Sequence, residues 1–183
     1  MPVINGLAIT MREIWLPTLA MIVIIVVSNI AVQIPINDWL TWGALTYPVS
    51  FLVTDLTNRR YGPERARRVV YAGFAIAVVL SIYFAGVRIA VASGSAFLLA
   101  QLLDVAVFDR LRNTSWWRAP LISSTLASTV DTALFFSLAF AFTGLPWMTW
   151  ALGDLGVKMA MAATMLIPFL ALMRLVATQP ARS

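Results

Sequence analysis

Acids, amides and one lysine sit inside long apolar runs of this chain, and their spacing sets them on shared helix faces. Asn29 and Gln33 are four residues apart. Gln101 and Asp104 are three apart, and Phe97 and Phe108 extend the same stripe. Ser124, Ser128 and Asp131 form another stripe. Asp154 precedes Lys158 by four residues, the favourable acid-then-base order. Ionisable groups at membrane depth are costly and tend to mark binding sites or ion pathways. Carboxyls there can hold and release protons. Together these groups suit a small, polar ligand.

Each pattern also has a plainer structural account. Asn29 and Gln33 can join helices through hydrogen bonds of about 1 kcal/mol. The serines of the Asp131 stripe can bond their own backbone or pack closely against a neighbour. Asp154 and Lys158 can neutralise one another near the outer boundary. Asp55 lies one turn before Arg59 in "FLVTDLTNRRYG", where an interfacial ion pair would suffice. No basic residue of its own helix reaches Asp131, so Asp131, like Asp104, is either a proton-holding group or the counter-charge of Lys158 or Arg88 across the bundle.

The elements that position these residues follow from composition. The chain has 183 residues, 61% hydrophobic and 11% charged, with mean hydropathy +0.86. Soluble domains are about 45–50% apolar and about 25% charged, so this chain has too few charges for a water-facing surface. Apolar runs of about 20 residues cross a bilayer, and only helices satisfy their own backbone there without closing a barrel. The sequence predicts an all-α polytopic membrane protein of six transmembrane helices, at about 14–35, 40–58, 67–86, 88–110, 119–143 and 152–175, forming one domain over 1–183. Pro48 and Pro168 break the second and sixth spans, and a broken helix is tolerated where it lines a cavity. Gly62-Pro63-Glu64 marks a stop followed by a helix start.

Basic residues set the orientation. Arg59, Arg60, Arg65, Arg67, Arg68, Arg110, Arg112, Arg118 and Arg174 all fall on one side, with Arg88 opposite. The positive-inside rule then makes both termini cytoplasmic and explains the net charge of +5 without nucleic acid. Trp39, Trp42, Trp147 and Trp150 fit an outer interfacial belt, and Trp116 and Trp117 an inner one. The first apolar run is too long for a signal peptide and predicts a retained span.

Several chemistries are excluded. The chain has no cysteine and no histidine, which removes disulfides, thiol nucleophiles, histidine bases and the usual zinc ligands. It carries no GxxxxGK[ST] phosphate loop and no HExxH. The acids are single and scattered, unlike the clustered acids of a metal-dependent transferase. The expectation is a non-enzyme with no metal and no cofactor, either a carrier or a substrate-binding membrane subunit.

The segments "SNIAVQIP" (28–35), "TWGALTYPVSFLVTDLTNRRYG" (41–62), "RIAVASGSAFLLAQLLDVAVFDRLR" (88–112), "WWRAPLISSTLASTVDTALFF" (116–136) and "GDLGVK" (153–158) resemble the queuosine precursor transporter family, also grouped as vitamin uptake transporters. The resemblance implies uptake of 7-deazaguanines (the cyano or aminomethyl precursors of queuosine, or queuine) across the bacterial inner membrane. It implies a homodimer and a secondary carrier, or alternatively the binding subunit of an energy-coupling-factor system. A guanine-like ring has N–H donors for a carboxylate or amide and faces for aromatic rings. Substrate contact is thereby expected at Asn29, Gln33, Tyr47, Phe51, Phe97, Gln101, Asp104, Asp131 and Lys158, with Trp42 a further ring candidate. Asp55 with Arg59, Arg88 and Asp154 are expected to serve the gate or coupling. One departure stands out: relatives carry a longer segment between the third and fourth spans, where "YFAGVRIA" joins them almost directly.

Overall fold

The computed structural model describes residues 2–31, 34–37 and 40–177. In chain order come α1 (Pro2–Ala31), a short antiparallel ribbon of β1 (Pro35–Asn37) and β2 (Leu40–Thr41), then α2 (Trp42–Thr46), α3 (Val49–Tyr61), α4 (Pro63–Leu111), α5 (Arg118–Phe140), α6 (Trp147–Thr164) and α7 (Leu166–Ala177). The fold is helical apart from that ribbon. Among the described residues, four stretches are long and apolar enough to cross a membrane: Pro63–Phe84, Gly86–Leu111, Arg118–Phe140 and Trp147–Arg174. They coincide with the expected third to sixth spans. The apolar part of α1, Glu13–Ser28, is shorter. The expected second span is two helices, α2 and α3, that meet at Pro48.

Breaks occur where the backbone chemistry requires them. Gly86 splits α4 into two arms with φ 81° and ψ 169°, a region that costs a residue with a Cβ about 1–3 kcal/mol. The arms fold back on one another. Ser81 and Ser93 hydroxyls approach to 3.5 Å across them, and a Cβ at Gly94 would meet Val78 at 3.0 Å. The short "YFAGVRIA" link is thus a turn made at one glycine. Gly62 (φ 88°) ends α3, Pro63 opens α4 and Glu64 sits in its first turn beside Arg67 at 2.7 Å, as the sequence predicts. Pro168 has no N–H for the carbonyl four residues back, which is Thr164, and α6 ends at Thr164.

α4 is the hub. It packs against α1, α3 and α5, while α5 also carries α6, and α3 meets α7. Ile14, Met21 and Ile25 of α1 bury against Val69, Val70, Phe97 and Val105 of α4. α1 comes so close that a Cβ at Gly73 would lie 2.7 Å from Met21. The outward faces keep large apolar side chains exposed, among them Val79, Tyr83, Val87, Leu152 and Ile167. Such faces suit lipid rather than water. The multi-pass membrane reading of the sequence holds.

Candidate functional site

Among the described residues the acids Asp55, Asp104 and Asp131 are buried, and so is Lys158. They form two polar layers. The first joins α5 and α6. Lys158 Nζ lies 2.8 Å from Asp131 Oδ2 and 2.6 Å from Asp154 Oδ2. Thr132 completes it, accepting from Lys158 at 3.1 Å and donating to Asp154 at 2.8 Å. Tyr47, at the α2–α3 break, donates to Asp131 over a long 3.4 Å and holds its ring 5.7 Å from the ammonium. The Asp131 charge is thus answered by Lys158 across the bundle.

The second layer joins α3, α4 and α5. Gln101 accepts from Thr54 at 2.6 Å and donates to Ser50 at 2.9 Å, so both ends of its amide are held by α3. Asn58 donates to the Val105 carbonyl at 2.9 Å. Asp55 faces Ser123 and Ser124, whose hydroxyls lie 3.4 and 3.5 Å from its oxygens. Asp104 lies against Asp55. Ser123 and Ser124 also lie beside Asp104, but neither of its oxygens receives a hydrogen bond of good geometry among the described residues.

A cleft connects the layers. It is narrow, with free space for little more than one water molecule as it stands. Pro48, Phe51, Leu52 and Asp55 line one side, and Pro120, Ser124 and Ser128 of α5 another. Lys158, Ala162, Met165, Leu166 and Phe169 close it. Both proline-broken helices therefore border the cleft, as expected of breaks that line a cavity. Asp55 and Lys158 are its charged walls, and Phe51 and Phe169 its aromatic ones.

The expected residues separate into groups. Tyr47, Asp131, Asp154 and Lys158 come together, and Phe51 stacks edge-on to Tyr47 at 6.4 Å. Phe97 also meets Tyr47 edge-on, at 6.2 Å, but belongs to the core beneath the cleft. Gln101 and Asp104 share the buried stripe the spacing implied, on the far side of Asp55 from the cleft. Trp42 is half-exposed and is absent from the cleft walls. The side chain of Asn29, and Gln33 and Trp39 entirely, lie outside the described residues.

Two of the expected gate or coupling groups have other partners here. Asp55 and Arg59 form no ion pair among the described residues. Asp55 turns inward to α4 and α5, while Arg59 donates to the Arg112 carbonyl. The reason is the helix face: Asp55 falls on the buried side of α3 and Arg59 at its rim. Arg88 is remote from the cleft. It donates to the carbonyls of Leu138 at 3.2 Å and Ala141 at 2.9 Å, closing the C-terminal end of α5. Sequence reasoning missed Ser50, Thr54 and Asn58, although their four-residue spacing was a readable signal. It also missed Thr132 and Phe169, for which no spacing gave one.

Residues 41–87 and 82–173 match the family described as "Putative vitamin uptake transporter". A "Probable queuosine precursor transporter" of Haemophilus influenzae is 37% identical, over 82% of this chain and 80% of its own length. The "Queuosine precursor transporter" of Escherichia coli is 36% identical, over 84% of this chain and 82% of its own. A "Probable queuosine precursor transporter" of Bacillus subtilis is 28% identical over 55% of this chain and 56% of its own. No solved structure matches the chain. A helical membrane chain with these matches belongs to the vitamin uptake transporter family, among the queuosine precursor transporters.

Proposed function

We propose that the chain imports queuosine precursors, the 7-deazaguanine bases, across the inner membrane as a secondary carrier. Six membrane-crossing segments with both termini in the cytoplasm fit the one-sided arginines. α1 and the broken α2–α3 pair then complete the four long spans. The observation that carries the reading is the cleft with a carboxylate on one wall and an ammonium on another. A 7-deazaguanine offers adjacent N–H groups on its pyrimidine edge and a carbonyl beside them. Asp55 accepts the N–H groups, and the positive charge of Lys158, whose own N–H groups are held by Asp131, Asp154 and Thr132, faces the carbonyl. Phe51 and Phe169 cover the ring faces. Asp131, Asp154, Thr132 and Tyr47 hold the Lys158 ammonium in place, so their part in recognition is positional. Ser124 and Ser128 add hydroxyls along the cleft.

Purified protein titrated with 7-cyano- and 7-aminomethyl-7-deazaguanine, with guanine as competitor, tests this directly. Saturable binding that Asp55→Asn or Lys158→Met weakens by more than tenfold is expected. A folded sample without saturable binding would refute the substrate class. Full-strength binding by both variants would refute the cleft assignment.

A further inference from the structure

Among the described residues, Asp104 is the one buried carboxylate that the ligand cleft and the Lys158 cluster leave unused. It is fully buried, it packs against Asp55, and neither of its oxygens receives a hydrogen bond of good geometry among the described residues. Two carboxylates pressed together in a low-dielectric interior repel strongly unless a cation joins them. Groups face the pair from every helix around it: Ser123 and Ser124 from α5, Asn58 one turn along α3, and Lys158 of α6 across the cleft from Asp55. α7 contributes only apolar walls, Leu166 and Phe169. Lys158 is already held by Asp131 and Asp154. The space beside Asp104 offers two carboxylates and two hydroxyls, and Ser123 and Ser124 are shared between the two acids, with long contacts to Asp55 of 3.4 and 3.5 Å. A proton fits this arrangement best, because an O–H on Asp104 becomes a donor to Asp55 and satisfies both residues at once.

We propose that Asp104 and Asp55 together form the proton site that couples uptake to the proton gradient, with Asp104 carrying the proton behind the ligand-facing Asp55. This rests on the transport reading above. A proton entering from the outer side adds to a carboxylate oxygen of Asp104. The new O–H donates to Asp55, which keeps its charge toward the N–H edge of the base. The buried packing of the two acids holds with the proton aboard. When the cytoplasmic ends of α3 and α4 separate, water enters, the O–H bond breaks and the proton leaves to the cytoplasm with the base. No other bond forms or breaks.

The test uses the full chain in liposomes with labelled 7-cyano-7-deazaguanine. Two quantities are read: exchange with unlabelled base at equal pH on both sides, and accumulation under an inside-alkaline gradient, with a sodium gradient as a separate arm. The unaltered protein should accumulate base several-fold under the pH gradient and ignore sodium. In Asp104→Asn, whose amide imitates the protonated acid, the gradient response should vanish relative to exchange. Asp104→Glu, which can still carry a proton, should keep it. If Asp104→Asn does not fold, Asp104→Ser takes the same test. A gradient response that survives the loss of the Asp104 carboxyl overturns the proposal, as does accumulation that follows sodium. Absence of exchange by the unaltered protein would instead remove the transport reading, and this inference with it.

Discussion

Lys158 and Asp131 form an ion pair at 2.8 Å between α6 and α5, with each side chain only 6% exposed. The pair is not isolated, because Asp154 approaches the same ammonium at 2.6 Å from one turn earlier on α6. Lys158 is therefore the shared counter-charge of two acids. Removing one partner of a buried pair leaves an uncompensated charge, at about 3–5 kcal/mol. Lys158→Met strands both acids and should fall in that range. Asp131→Asn leaves Lys158 with Asp154 and should cost clearly less. Thermal unfolding of the two variants in the same detergent checks the order. Equal losses, or a larger one in Asp131→Asn, would contradict a shared ammonium.

Gln101 was expected at the ligand, and the structure gives its amide to Ser50 and Thr54 instead. Thr54→Val keeps the shape of the contact and removes the donor to Gln101. A buried acceptor left without its donor costs about 1–3 kcal/mol. The expected result is a lower melting temperature with ligand affinity near that of the unaltered protein. A tenfold loss of affinity at unchanged melting temperature would return Gln101 to the binding site.

Much of this was legible in the sequence, for identifiable reasons. Apolar runs longer than a bilayer admit only helices, so the class and four of the spans could be read directly. Pro48 and Pro168 fixed the breaks because a missing N–H acts within its own helix. Face-sharing followed from spacing alone: Asp154 with Lys158, and Phe97, Gln101, Asp104 and Phe108 on one buried stripe. Spacing within a helix does not say which neighbour that face meets. Asp131 meeting Lys158, and Asp55 turning from Arg59 to Asp104, depend on how α5 rotates against α3 and α6. Phe169 reached the cleft because the break at Met165 redirects α7. Arg88 looked functional by its isolation on the outer side, yet its partners are backbone carbonyls, which sequence patterns do not distinguish.

The turn at Gly86 gives a prediction independent of the ligand. Its φ of 81° and ψ of 169° lie where only glycine is unstrained. A Cβ there would meet nothing within 4 Å, so any loss comes from backbone conformation and not from a clash. Gly86→Ala should lower stability by about 1–3 kcal/mol. Gly62→Ala, with φ 88° and similarly open space, is the matched control and should lose a similar amount. If Gly86→Ala melts like the unaltered protein, the two arms of α4 can join without the left-handed turn.

At the opposite end of the molecule, two arginines tie α3 to α4. Arg112 donates to the carbonyls of Asn58 at 3.0 Å and Arg59 at 3.2 Å, and its own carbonyl accepts from Arg59. Asp109 holds the Arg112 guanidinium at 3.0 Å. The free carbonyls at a helix C-terminus attract positive charge, so this clasp closes the C-terminal end of α3, one turn beyond Asp55. It is half-exposed, and its loss in Arg112→Ala should cost only about 1–2 kcal/mol, below the full range for a buried charged hydrogen bond. The larger effect should be on access. The chain has no cysteine, so Thr57→Cys creates a unique thiol at a buried position whose hydroxyl serves only the Val53 carbonyl of its own helix. In inside-out vesicles, a membrane-impermeant maleimide should label that thiol faster when Arg112→Ala is added. An unchanged rate would mean that the arginine clasp does not control access at this end of α3.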